Sequence, residues 1–145
     1  MLDIRIVELV HERPLSILVA AEEPMRQHLV AMLLGGLRPG VREAQDSWDL
    51  VAQLLTVKQQ VDLVVSDLRW LHGRALDLMD SLGAVGIDVP FLFIASNRTE
   101  ATRVLSARPG VLVLESPVLA SELLAGVRQL CRARGQSRGP GRSAA

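Results

Sequence analysis

Short apolar runs alternate with stretches of helical periodicity along most of the chain. Leu15–Ala21 (LSILVAA) is the first run, short and rich in branched residues, as suits a buried strand. Pro24 follows in the first turn of a helix, with Glu22 and Glu23 near the positive end of its dipole. Met25, Leu29, Met32 and Leu33 form the apolar face of that helix, and Gly35-Gly36 stops it. Val41–Ala44 reads as a weak strand. Asp46 or Ser47 then caps a helix whose apolar face is Leu50, Val51, Leu54 and Leu55. Val61–Ser66 (VDLVVS) is a second clear strand, followed by a helix around Ala75–Leu82. Pro90 opens the strand Phe91–Ala95 (FLFIA), and Asn97 or Thr99 caps a short helix ending near Arg108-Pro109-Gly110. Val111–Leu114 (VLVL) is the last strand. Val118–Cys131 is the last helix, with Leu119, Leu123, Val127 and Leu130 on one face. Five strands alternating with five helices predict an α/β fold, a doubly wound five-stranded parallel sheet with flanking helices. The near-continuous apolar strands fit a sheet covered on both faces.

Two ends lie outside this pattern. Residues 1–14 form an N-terminal extension in which Leu2, Ile6, Leu9 and Val10 have helical spacing, while Ile4, Ile6 and Val7 suit a strand. Both alternatives stand. Its apolar content predicts packing on its own domain or on a second copy, as a homodimer. Residues 135–145 (GQSRGPGRSAA) cannot bury a core and read as a disordered Arg/Gly/Ser tail. The domain proper is then 15–134.

Composition narrows the class of protein. Of 145 residues, 49% are hydrophobic and 22% charged, which suits one globular domain with a full core. Net charge is zero, which favours neither nucleic acid nor membrane as a partner. The four arginines from Arg132 onward leave twelve bases against sixteen acids before them, so the folded part is mildly acidic. The lone Cys131 excludes an intrachain disulfide framework. No apolar run is long enough to span a bilayer, and Asp3, Glu8 and Glu12 are unlike a signal peptide. A cytoplasmic protein is expected.

Ligands of open parallel sheets bind at the carboxyl ends of the strands, where the strand order reverses. Those ends carry Ala21-Glu22-Glu23, Asp67, Ala95-Ser96-Asn97 and Glu115-Ser116-Pro117. Carboxylates and small polar groups without nitrogen or sulfur ligands favour a hard cation such as Mg²⁺. His11, His28 and His72 have no acidic or cysteine partner at ligand spacing, and there is no Gly-rich phosphate loop. No nucleophile–base pair appears, so an enzyme with a substrate pocket is not expected.

With those residues in view, the chain resembles the receiver domain of two-component response regulators, a flavodoxin-like fold. ILVAAEEPMRQHLVAML resembles the family's first strand, acidic pair and first helix, and VDLVVSDLRW its third strand with the phospho-acceptor. VPFLFIASN resembles the fourth strand, and GVLVLESPVLASELLAGVRQL the fifth strand and last helix. The resemblance implies that Asp67 is the acceptor position. It also implies that Glu22, Glu23, Asp67 and the backbone carbonyl of Arg69 would hold Mg²⁺, weakly. The acidic pair falls on Ala21 and Glu22, so one carboxylate is missing and the other is longer. The hydroxyl that binds the phosphoryl group is replaced by Ala95, the lysine by Ser116 and the aromatic switch residue by Val113. Ser96 is adjacent to Ala95 but belongs to the other side of the strand, and Lys58 sits on the second helix. Leu71 and Ala75 replace the family's Pro and Gly, and Trp70 lies in the loop that shapes the site.

These losses have an energetic weight. A hydrogen bond to a charged group contributes about 1.5–3 kcal/mol, so losing both phosphoryl contacts removes several kcal/mol from a phosphorylated state. The reading is therefore a stand-alone, atypical receiver in phosphorelay signalling that works through protein–protein interaction. Its partner would be a histidine kinase or a downstream effector. The expected contact face is the one that the family forms from its fourth helix, fifth strand and fifth helix, here with Glu100, Arg103, Arg108, Glu122 and Arg128. Two alternatives stand beside it: a functional acceptor phosphorylated on Asp67 by a histidine kinase, and an adaptor binding nucleic acid or anionic surfaces through its Arg-rich tail. The tail's lack of aromatics for base stacking makes nucleic acid the weaker of these.

Overall fold

The computed structural model describes residues 14–56 and 60–137, with side chains described as far as residue 132. The element order is β1 (Ser16–Ala20), α1 (Met25–Gly36), β2 (Gly40–Glu43), α2 (Ser47–Leu55), β3 (Leu63–Asp67), α3 (Ala75–Ala84), β4 (Phe91–Ala95), α4 (Glu100–Ser106), β5 (Val111–Glu115) and α5 (Ala120–Ser137). A 3-10 turn, Leu68–Leu71, links β3 to α3. All five strands pair in parallel in the order β2-β1-β3-β4-β5. Strand order reverses between β1 and β3, so their carboxyl ends open a crevice at that point.

Alternation along each strand divides the core into two layers. Leu18, Val64, Phe91 and Phe93 face one side, where Leu50, Leu54, Leu82 and Leu105 of α2, α3 and α4 close over them. Ile17, Val19, Val65, Leu92 and Ile94 face the other, against Leu29 and Leu33 of α1 and Leu123, Val127 and Leu130 of α5. Because both faces are covered, β3 and β4 are buried at every position, and Leu63–Val65 and Phe91–Ala95 read in sequence as apolar runs.

Local capping follows the side-chain chemistry. Asp46 begins α2 by accepting the Asp49 amide at 2.8 Å. Thr99 begins α4 in a reciprocal box with Thr102, whose hydroxyl accepts the Thr99 amide at 2.9 Å.

Three details depart from the sequence reading. Gly35 and Gly36 are the last turn of α1 rather than a stop beyond it. A Cβ at Gly36 would overlap the Leu124 side chain of α5, so the residue serves close packing of two helices. Leu55 and Leu119, which the helical spacing assigns to apolar faces, are both exposed, and Leu119 precedes α5. The final helix runs to Ser137, into the stretch whose composition predicts a tail. The N-terminal segment through Arg13, Lys58 and the Arg-rich stretch from Arg138 onward lie outside the described residues. Among the described residues no helix is long and apolar enough to cross a membrane.

Candidate functional site

Asp67 is the last residue of β3, which is flanked by β1 and β4, and burial leaves it 4% exposed. The chain turns at once into the 3-10 segment, and that turn carries residue 69 back over the strand end. The Arg69 amide donates to Asp67 Oδ1 at 3.1 Å. Its guanidinium donates to the same carboxylate, Nη2 to Oδ2 at 3.1 Å and Nε to Oδ1 at 3.5 Å. The Arg69 side chain is 67% exposed whereas that of Asp67 is 6% exposed. The pair therefore lies between two limits. Exposed pairs contribute ~0–1 kcal/mol, whereas breaking a buried one costs about 3–5 kcal/mol.

Sequence reasoning assigned Arg69 its backbone carbonyl alone and missed this ion pair. The missing signal was a cation two residues past the acceptor, which only the 3-10 turn brings back. The carbonyl itself accepts the His72 amide at 3.1 Å, closing the turn, and His72 takes a left-handed conformation at φ 52°.

A cavity of about 320 Å³ sits at this corner, lined by Glu22, Glu23, Pro24, Met25, Asp67, Arg69 and Trp70. It brings together all four residues predicted around the cation. Their chemistry is already committed, however. Glu23 accepts from Gln27 Nε2 at 2.6 Å and from Arg26 Nε at 3.3 Å, both on α1, and Arg26 also pairs with Glu43 at 2.9 Å. Asp67 has both oxygens on Arg69, which leaves Glu22 as the one carboxylate of the corner without such a bond among the described residues. No group of three or more His, Cys, Asp or Glu side chains among the described residues is arranged to hold a metal ion. A hard divalent cation needs several oxygens free at once. The residues as arranged do not fit Mg²⁺.

The remaining predicted positions surround the site. Ala95 is buried at the end of β4, and its carbonyl accepts the Ser116 amide at 2.7 Å. Neither residue brings a charged donor to Asp67. Val113 is half-buried against the α2–α3–α4 layer, and Ser96 is exposed. Trp70 is 8% exposed, packs in that same layer and walls the cavity.

Of the expected contact face, Glu100 and Arg103 pair on exposed α4 at 3.7 Å, and Arg128 is exposed on α5. Glu122 accepts the Leu119 amide at 2.9 Å, capping α5. Arg108, just after α4, pairs through its guanidinium with Asp80 of α3 at 2.9 Å.

A parallel sheet ordered 2-1-3-4-5, wrapped by two helices on one face and three on the other, with a buried aspartate ending its central strand, is the architecture of response-regulator receiver domains. Solved structures agree. The chain superposes on a response regulator receiver protein from Sinorhizobium medicae WSM419 with a TM-score of 0.69 at 19% identity, covering 84% of this chain and 98% of that one. The signal receiver domain of an HD domain-containing protein from Pseudomonas fluorescens Pf-5 gives 0.74 at 19% identity, over 88% of this chain and 93% of that one. A CheY-like receiver domain protein from Methanospirillum hungatei JF-1 gives 0.73 at 12% identity, over 86% and 99%. No family model matches the sequence, and no curated protein does. The protein has the receiver fold; identities this low carry the fold and no more.

Proposed function

We propose that this is a two-component signalling protein whose receiver-fold domain works by binding other proteins, with an acceptor site that no longer drives the usual switch. The observation that carries this reading is the Arg69 guanidinium on the buried Asp67 carboxylate. A cation built into the chain neutralises the acceptor without metal or phosphoryl group. Ala95 offers no hydroxyl, Ser116 no charge and Val113 no ring, so a phosphoryl group on Asp67 would gain little contact. A ligand that makes no differential contact with two conformations shifts no equilibrium between them. Signalling then passes through a constant surface, and Glu100, Arg103, Glu122 and Arg128 supply its charge pattern. The partner is a histidine kinase or a downstream effector.

Phosphorylation of Asp67 by a histidine kinase is the second reading. It is favoured by the cavity between Glu22 and Trp70, which gives a small donor room beside the carboxylate.

Affinity capture from the source cells tests the two. Asp67→Asn is expected to retain the same bound partner as the unsubstituted protein, and the pair Arg103→Glu with Arg128→Glu to lose it. A partner that disappears with Asp67→Asn and survives the charge reversals would reverse the order of the readings.

A further inference from the structure

A second concavity adjoins the Asp67 corner and shares Arg69 and Ser116 with the reading above, while its apolar walls play no part in it. It has a volume of about 500 Å³, within the range of small-molecule sites. Met25, Leu29 and Met32 of α1 form one wall, Pro117 and Val118 of the turn before α5 the other, and Ile94 of β4 the floor. Two methionines give this wall side chains that adapt to varied apolar shapes.

The polar groups on its lining are His28, Arg69 and Ser116, and no carboxylate is among them. All three can donate a hydrogen bond, and Arg69 carries a fixed positive charge. Arg69 is shared with the acidic cavity, and its exposed guanidinium stands where the two meet. The charge complement of an apolar groove with a guanidinium at its rim is an anion with an apolar body.

From this the geometry points to a binding site for a free medium-chain monocarboxylate. Its chain would lie between α1 and the turn before α5, and its carboxylate would sit on Arg69. The head group then competes with Asp67 for the same guanidinium, so the ligand would loosen the Asp67–Arg69 pair on binding. A small acid would thereby act on the corner that phosphate governs in other proteins of this fold. The apolar walls of the site stand whether or not Asp67 accepts phosphate; only the head-group contact on Arg69 is shared with that chemistry.

The test is a titration of decanoate into full-length protein carrying ¹³C-labelled methionine methyls, with acetate, decanol and decylamine as controls. Decanoate is expected to shift the Met25 and Met32 methyls saturably and to move the Arg69 Nε resonance. Arg69→Gln is expected to weaken binding about tenfold, the scale of a lost charge-assisted contact. Ala31→Phe, at an exposed α1 position lining the groove, is expected to abolish it while leaving the fold intact. Absence of saturable shifts with decanoate overturns the proposal. So does binding of decanol or decylamine as tight as that of decanoate, or decanoate binding that both substitutions leave unchanged.

Discussion

Placing Arg69→Ala, Ala95→Thr and Ser116→Lys together is expected to raise labelling of Asp67 by a small phosphodonor by about 10²–10⁴-fold over the natural sequence. The first change frees the carboxylate that Arg69 holds at 3.1 Å. The other two return a hydroxyl and an ammonium to the ends of β4 and β5, where Ala95 and Ser116 are tied by a 2.7 Å backbone hydrogen bond. Each restored contact to the charged phosphoryl group contributes about 1.5–3 kcal/mol, and each ~1.4 kcal/mol in a barrier is tenfold in rate. Intact-mass spectrometry over a time course reads the result. Labelling of the natural protein as fast as the triple variant would show that the lost side chains were not what limits the site.

Phe93→Ala is expected to cost about 3–5 kcal/mol of folding stability, the usual range for emptying a buried aromatic site. Phe93 is fully buried in β4, between β3 and β5, and stacks on Phe91 with ring centroids 5.3 Å apart. Single domains hold only about 5–15 kcal/mol in all, so the variant sits near the edge of folding. Urea unfolding followed by circular dichroism should give a lower midpoint with an unchanged slope. A loss under about 1 kcal/mol would mean that this face of the sheet is not the tightly packed layer described above.

How much of the molecule is legible in sequence depends on whether a feature is periodic. β1, β3, β4 and β5 announce themselves because a parallel strand covered on both faces is apolar at nearly every position. β2 is weak in sequence for a matching reason: it is half-buried only at Val41, whereas β5, the other edge strand, is buried or half-buried from Val111 to Leu114. The caps at Asp46 and Thr99 are local, so side-chain type alone narrows each to two candidates, of which the structure uses one.

Contacts set by tertiary geometry leave no such trace. The approach of α5 to Gly36 joins residues far apart in sequence, and the Arg108–Asp80 pair depends on how the chain passes α3. At the site, Asp67 and the acidic residues after β1 are legible because strand ends must converge at the switch point. The guanidinium on Asp67 is not, since an arginine two residues beyond a strand points anywhere until the 3-10 turn folds it back. That turn also occupies the Arg69 carbonyl, which the resemblance assigned to a metal. A family pattern transferred residue by residue thus named residues that the fold brings to one corner, and left the bonds around them to be found in the structure.

The most direct test of the central claim is intact mass together with NMR of the purified protein, before and after adding a small phosphodonor or beryllofluoride in the presence of Mg²⁺. The account predicts no more than a trace of added phosphoryl mass on Asp67 and no shifts reaching β5. A one-phosphoryl adduct that vanishes in Asp67→Asn, with shifts spreading from Asp67 to Val113, would contradict it and establish a working switch.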